Sequence, residues 1–345
     1  FNRGLVVNIE KASTQLRSLV EKVGMSTDYS KCDFHVVLSN ERLKNYVCSS
    51  SLYFGDVTKS ITYNDITKVI AQTKSVATIP LNEYIIENVP LEFIVNDLEG
   101  IIDPLELEAR RLAIKMLVFT VDVSIIRNIQ KVFERSDLNI SSFIPKALSS
   151  GYAVLRDEEK RDGVILIDIG GHTTDIVYVK NGIVQHYETL GIGGEAISAS
   201  LAEHLNIPVI EARRLKERFG SAVLVSSFED EIIPVVDIFG KTKLSLNKKR
   251  LYDHLFVSSK DLLGLMKGSV EKVRRRVGLV GGIVITGGTV ALDGFLELSQ
   301  EVFDMPVRLG ITRRIRGPKE VVSSSLYSAA AGVLGYVAHK YRKES

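Results

Sequence analysis

The chain has 345 residues, 45% hydrophobic, 25% charged and 7% aromatic, enough for about two domains with a sizeable core and too apolar for general disorder. Lys plus Arg number 44 against 42 Asp plus Glu, a net charge of +2, which argues against a global charge field for nucleic acid or membrane. No apolar run approaches the ~18 residues of a bilayer span, no secretory signal is expected, and Cys32 and Cys48 lack metal-ligand spacing, which fits a reducing compartment.

Ile9, Ala12, Leu16, Leu19 and Val23 recur at helical spacing and predict a helix over 8–23, stopped by Gly24. Residues 34–39 and 46–54 read as strands. Thr62 with Asp65 forms a capping-box pattern that opens a helix over 65–76. Two extended stretches follow, 83–89 and 91–95, then a strand over 112–120 and a helix over 124–135. Residues 31–138 therefore read as a compact inserted α+β unit without catalytic clusters.

From Phe143 the pattern changes. A short helix over 146–155 leads through a charged turn, 156–162, into the apolar run Val164-Ile-Leu-Ile-Asp-Ile169, the signature of a buried central strand. Asn181-Gly182 between two apolar stretches predicts a two-residue hairpin. Gly193-Gly194 introduces a helix over 195–205, and a second helix spans 209–219. A β-rich stretch, a long helical pair, a buried strand over 282–286 and a final helix over 323–341 complete the chain. That final helix carries Ala and Gly where it must pack closely.

Two constellations carry candidate chemistry. In Asp168-Ile-Gly-Gly-His-Thr-Thr-Asp175, a carboxylate ending a buried strand suits a magnesium ion held through water, with Asp175 a second acid beside it. Gly170 and Gly171 let backbone amides approach a phosphate, and Thr173 and Thr174 add donors. The alternative is an ordinary glycine turn in a hairpin. In Thr286-Gly287-Gly288-Thr289, the glycines leave a flat backbone surface for a nucleoside. The Gly193-Gly194 helix start either faces phosphate or simply caps its helix.

Taken in order, these segments resemble the second half of the actin-like (ribonuclease H-like) nucleotide-binding fold. That two-lobed fold is shared by actin-like filament proteins, DnaK-type chaperones and many sugar kinases. The stretches 163–222 and 282–310, including Ile283-Val-Ile-Thr-Gly-Gly288 and Val302-Phe-Asp-Met-Pro-Val-Arg308-Leu-Gly310, further resemble the bacterial cell-division family FtsA. Phe34-His-Val-Val-Leu-Ser39 and residues 65–76 resemble the subdomain that this family inserts in its first lobe, called 1C or SHS2.

The resemblance implies a division into the remainder of subdomain 1A (1–30), 1C (31–138), a return to 1A (139–162), 2A (163–221), 2B (222–281), 2A again (282–322) and a C-terminal helix (323–345). It implies ATP or ADP with Mg2+ as ligand, and a protein that is not an enzyme beyond weak ATP hydrolysis. It also implies head-to-tail self-association into filaments, contacts of 1C with later division proteins, and no nucleic-acid partner. The C-terminal tail of FtsZ is expected on 2B, where Lys272, Arg274, Arg275 and Arg276 offer an acidic peptide its counter-charge; the alternative is a solvated basic face. An N-terminal Asp-x-Gly phosphate hairpin is expected before Phe1, which is not Met. An amphipathic helix is expected beyond Ser345, lying on the cytoplasmic face of the inner membrane at the septum.

Several positions depart from the family pattern. His172 replaces a third glycine, either as a spectator or as a phosphate contact. On the helix over 209–219, Lys216 matches a nucleoside-contacting lysine, whereas Arg213 replaces the acid expected three residues earlier and Glu211 is the candidate substitute. Lys146 stands where filament-forming relatives place a Glu or Gln that positions the attacking water. A cation is no base at neutral pH, so hydrolysis is expected to be slow or negligible. PilM-type pilus assembly proteins and sugar kinases are the competing families. The first is disfavoured by the 232–240 stretch and the Thr286 turn, the second by the lack of an Asp-centred catalytic motif.

Overall fold

The computed structural model describes residues 4–24, 32–223, 231–236, 242–277, 281–313 and 315–344. In chain order the elements are α1 (Ile9–Gly24), β1 (Phe34–Leu38), β2 (Lys44–Tyr53), β3 (Lys59–Ser60), α2 (Tyr63–Val76), β4 (Glu83–Val95), β5 (Leu98–Ile101), β6 (Glu108–Ala109) and β7 (Arg111–Asp122). After these come α3 (Val123–Glu134), β8 (Ile140–Pro145), α4 (Lys146–Val154), α5 (Asp157–Asp162), β9 (Val164–Ile169), β10 (Thr174–Lys180) and β11 (Ile183–Leu190). The remainder is α6 (Gly194–Leu205), α7 (Val209–Phe219), β12 (Ile232–Val236), β13 (Thr242–Asn247), α8 (Lys248–Val277), β14 (Ile283–Thr286), α9 (Phe295–Phe303), β15 (Val307–Leu309), α10 (Lys319–Val322) and α11 (Ser328–Glu344).

The central sheet has the order β11-β10-β9-β14-β15, antiparallel between β9, β10 and β11 and parallel from β9 to β15. All six residues of β9 are buried because each face of the strand feeds a different core. Ile165, Ile167 and Ile169 pack into a cluster with α6, α8 and α9, while Val164 and Leu166 pack with α4 and β7. The unbroken apolar run is thus a period-two strand with no solvent face. Asn181 and Gly182 take φ of 53° and 75°, the left-handed pair that a tight β10–β11 turn demands.

The second sheet, β2-β7-β4-β5, is antiparallel with α2 against it. Its own core holds Ile61, Val69, Leu112, Ile114 and Met116. Farther along β7, the opposite parity, Leu117, Phe119 and Val121, enters the core shared with β9. One 12-residue strand therefore anchors the inserted sheet to the body of the molecule.

Four local expectations are corrected. The stretches 83–89 and 91–95 form the single strand β4, with register shifts at Ile85/Glu87 and Pro90/Glu92; a bulge accommodates the proline, which lacks a ladder donor. The charged turn 156–162 contains the short helix α5, whose first turn is acidic and last turn basic, as the helix dipole favours. The helical pair expected after the β-rich stretch is one 30-residue helix, α8. The final helix begins at Ser328, after α10 and a 3-10 turn over Ser325–Tyr327. Its glycines do pack closely: a Cβ on Gly332 would lie 1.9 Å from the Ser149 carbonyl oxygen of α4.

Candidate functional site

The ends of β9, β10 and β14 meet at one point. Asp168 pairs in register with Asp175 on β10 and with Thr286 on β14. The turn between β9 and β10 is closed by the Gly170 amide, which donates to the Thr173 carbonyl at 2.9 Å. Against this turn lies the start of α6. The Gly194 amide donates to the Gly170 carbonyl at 2.9 Å, and the Glu195 amide to the Gly171 carbonyl at 2.7 Å. Thr289 donates its hydroxyl to the same Gly170 oxygen at 2.9 Å. The three glycine segments that were far apart in sequence are therefore one hydrogen-bonded patch.

Three glycines are required by this crowding, Gly194 among them because a Cβ there would meet the Thr289 side chain. A Cβ on Gly193 would sit 2.4 Å from the Gly170 oxygen, and one on Gly287 would sit 2.4 Å from the Ile169 oxygen and 2.7 Å from Asp168 Oδ1. Gly287 also holds φ at +99°, where a side chain is strained. Gly171, by contrast, is exposed and a Cβ there meets nothing within 4 Å. Gly288 carries no positive φ; its Cβ would meet Leu326 at 3.0 Å. The first free amides of α6 are engaged by the turn's carbonyls rather than left facing outward, so the turn itself caps the helix.

Asp168 and Asp175 are buried, and Lys146, the first residue of α4, reaches between them. Its Nζ lies 3.1 Å from Asp168 Oδ1, 3.1 Å from Asp175 Oδ2 and 3.2 Å from the Asp168 carbonyl oxygen. Burial alone would lower the lysine pKa, but the two carboxylates outweigh it and hold it above the ordinary value. The other carboxylate oxygens also have protein partners. Asp175 Oδ1 accepts from Tyr187 at 3.2 Å and Thr189 at 2.7 Å, and its Oδ2 accepts from Ser39 at 2.7 Å. Asp168 Oδ2 accepts from Ser150.

A magnesium ion held through water by this pair, as expected from the sequence, does not fit the donor set: both acids already have protein partners on both oxygens. Among the described residues there is no cluster of three or more His, Cys, Asp or Glu side chains suited to a metal. Ser39, Ser150, Tyr187 and Thr189 escaped the sequence reading. The i,i+4 spacing of Lys146 and Ser150 on one helix face was the available signal.

Thr174 donates to the Ile192 carbonyl at 2.8 Å, and the hydroxyls of Thr173 and Ser39 lie 2.7 Å apart. Thr286 donates to the Gly310 carbonyl at 2.8 Å. His172 is half-buried at the turn. On α7, Lys216 donates to the Gly194 carbonyl at 2.7 Å, and burial lowers its pKa. Arg213 makes a forked pair with Glu195 of α6, its Nη2 2.5 Å from Oε2. Both residues thus border the glycine patch. Glu211 does not join them: Arg214 grips both its oxygens at 2.7 Å and also donates to the Pro234 carbonyl. Lys272, Arg274 and Arg275 are exposed near the end of α8, where Arg275 faces Glu271 at 3.6 Å. The Arg276 side chain lies outside the described residues.

A family model described as "Cell division protein FtsA" matches residues 165–332, and one described as "SHS2 domain inserted in FTSA" matches residues 42–120. Cell division protein FtsA of Pseudomonas aeruginosa is 28% identical over 339 residues, which cover 97% of this chain and 80% of the relative. The Escherichia coli K12 protein is 26% identical over 344 residues, covering 97% and 81%. Among solved structures, the PilM-PilN type IV pilus biogenesis complex superposes with TM-score 0.64 at 13% identity, over 97% of this chain and 88% of that chain. MreB5 of Spiroplasma citri bound to ADP gives 0.57 at 13% identity, over 100% and 79%. At that identity the two structures speak for the actin-like fold alone.

Proposed function

We infer the function from one premise, that this chain belongs to the FtsA family of cell-division proteins. In this reading it binds ATP or ADP at the glycine patch and uses the nucleotide as a structural and regulatory ligand between its lobes. The observation that carries the reading is the convergence of Gly170-Gly171, Gly193-Gly194 and Gly287-Gly288 at the ends of β9, β10 and β14. A backbone surface held without side chains is what lets phosphate and base approach closely. Lys216 at its border is the nucleoside-contacting lysine of this reading, and Arg213 beside it is held by Glu195.

Turnover is not the proposed role. Lys146, kept protonated between two carboxylates, cannot take a proton from an attacking water. Function then follows from population shift: the nucleotide favours one arrangement of the lobes, and that arrangement favours head-to-tail filaments. The basic end of α8 receives the acidic tail of FtsZ, the SHS2 unit meets later division proteins, and the protein works on the cytoplasmic face of the inner membrane at the septum. No helix among the described residues is long and apolar enough to cross a membrane, so attachment in this reading is peripheral.

Calorimetric titration of the chain with ATP and ADP tests the ligand, and fluorescence anisotropy with a labelled FtsZ tail peptide tests the partner. Saturable binding of both is expected. Failure to bind any adenine nucleotide would sink the first part; binding of a PilN-type peptide in place of the FtsZ tail would overturn the second.

A further inference from the structure

We propose that Lys146 is the resident cation of the nucleotide site, and that it closes the Asp168–Asp175 pair to divalent metal. Nucleotide is then bound with no protein-held magnesium. The inference rests on the nucleotide-binding reading above and specifies the charge partner of that same site.

The geometry is that of a tethered ion. An ammonium group has three N–H donors, and three acceptors surround this one: Asp168 Oδ1 at 3.1 Å, Asp175 Oδ2 at 3.1 Å and the Asp168 carbonyl at 3.2 Å. The Lys146 side chain is only 14% exposed, and the two carboxylates 3% and 0%. Its placement is fixed from both ends. Pro145 precedes it at the start of α4, and Ser150, one turn on, holds the far oxygen of Asp168. A Cβ on Gly170 would lie 3.1 Å from the Lys146 Nζ, so the charge sits directly beneath the glycine turn.

A magnesium ion would need this same volume and more. It demands near-octahedral coordination at about 2.0–2.1 Å and keeps several of its waters. Here the four carboxylate oxygens accept from Lys146, Ser39, Ser150, Tyr187 and Thr189. To admit the ion, Lys146 would have to leave, and these hydroxyls would have to give up bonds that a buried site cannot replace with bulk water. One ammonium against two carboxylates leaves the site a net negative charge close to the phosphates. On the opposite side Lys216 borders the α6 start, while Arg213 there is already paired with Glu195.

Two measurements on the purified chain test the proposal. In the first, thermal unfolding without nucleotide is compared in EDTA and in millimolar MgCl2 for the native chain and for Lys146→Gln. The native midpoint is expected to be unchanged by Mg2+, whereas the variant, with its two acids uncompensated, is stabilised by Mg2+. A native midpoint raised by Mg2+ overturns the proposal, whether or not nucleotide binds. In the second, a fluorescent ADP analogue is titrated under the same two conditions. Affinity for the native chain should change less than about threefold, and for Lys146→Gln it should gain about tenfold or more with Mg2+. Native binding that is tenfold tighter with Mg2+ overturns the closed-pair proposal and leaves the nucleotide reading standing. Absence of binding in either buffer rejects the nucleotide reading itself, while the unfolding comparison still decides who holds the carboxylates. Should Lys146→Gln not fold, the two native measurements are decisive by themselves.

Discussion

Single residues set the finest constraints. Thr62 and Asp65 form a complete capping box at the start of α2, with Lys59 at 2.8 Å from both Asp65 oxygens. Burial works against ionisation of Asp65, but the bonds from Lys59 and Thr62 outweigh it and lower its pKa from 3.8 to about 2. A depressed carboxylate stabilises the fold above its ordinary pKa and loses that contribution as pH falls through the folded one. Asp65→Asn should therefore cost roughly 1–2 kcal/mol at pH 6, and the difference from the native chain in urea unfolding should shrink between pH 4 and 2. A difference constant over that range would contradict the assignment. At the glycine patch the comparison is between Gly287→Ala and Gly171→Ala. The first forces a Cβ against the Ile169 oxygen at φ +99° and should cost about 2–3 kcal/mol, with at least a tenfold loss of nucleotide affinity. The second meets no atom within 4 Å and should stay within about 0.5 kcal/mol of native in the same unfolding assay.

Secondary-structure elements are joined by buried polar contacts as much as by apolar ones. Glu87 of β4, 3% exposed, accepts from Lys340 of α11 at 2.8 and 2.9 Å. Burial and this carboxylate together keep the hydroxyl of Tyr336, also on α11, protonated far above its usual range. The last helix is thus pinned at one end to the long strand of the inserted sheet and at the other to α4, through Gly332 and Gly335. Glu87→Ala should cost about 1–3 kcal/mol and speed hydrogen exchange in α11 while leaving α6 unaffected. Uniform acceleration across both helices would show that Glu87 acts globally instead. The pairing was invisible in sequence because 253 residues separate Glu87 from Lys340. The close-packing glycines of α11 were visible, since small residues on one helix face have a local meaning.

At the scale of the whole molecule, three cores are stitched by two strands. β9 divides its side chains between the two largest clusters, and β7 divides its own between the inserted sheet's core and the shared one. A ligand lodged where β9, β10 and β14 end touches elements from both large cores, so its binding energy should appear as stability of the whole chain. At a hundred times its Kd, ADP should add about 2.7 kcal/mol to stability and raise the unfolding midpoint by about 3–4 °C. Guanosine nucleotides at the same concentration serve as the control. No shift with either class would remove the nucleotide reading.

Amino-acid pattern alone determined the central strand, the Asn181-Gly182 turn, the helix over 209–219, the Thr62–Asp65 cap and the glycine segments of the site. Each of these rests on interactions within a few residues or on strict periodicity, which a chain displays before it folds. The fusion of 83–95 into one strand and the unbroken length of α8 needed the tertiary structure, because neighbouring strands and helices override local breakers. Above all, only the fold could decide who faces Asp168 and Asp175. In sequence, Lys146 is a cation in a place where an acid or amide was expected. In three dimensions it lies 3.1 Å from each carboxylate, because α4 starts beside the β9–β10 turn, and a buried pair of charges takes the nearest counter-charge the packing supplies.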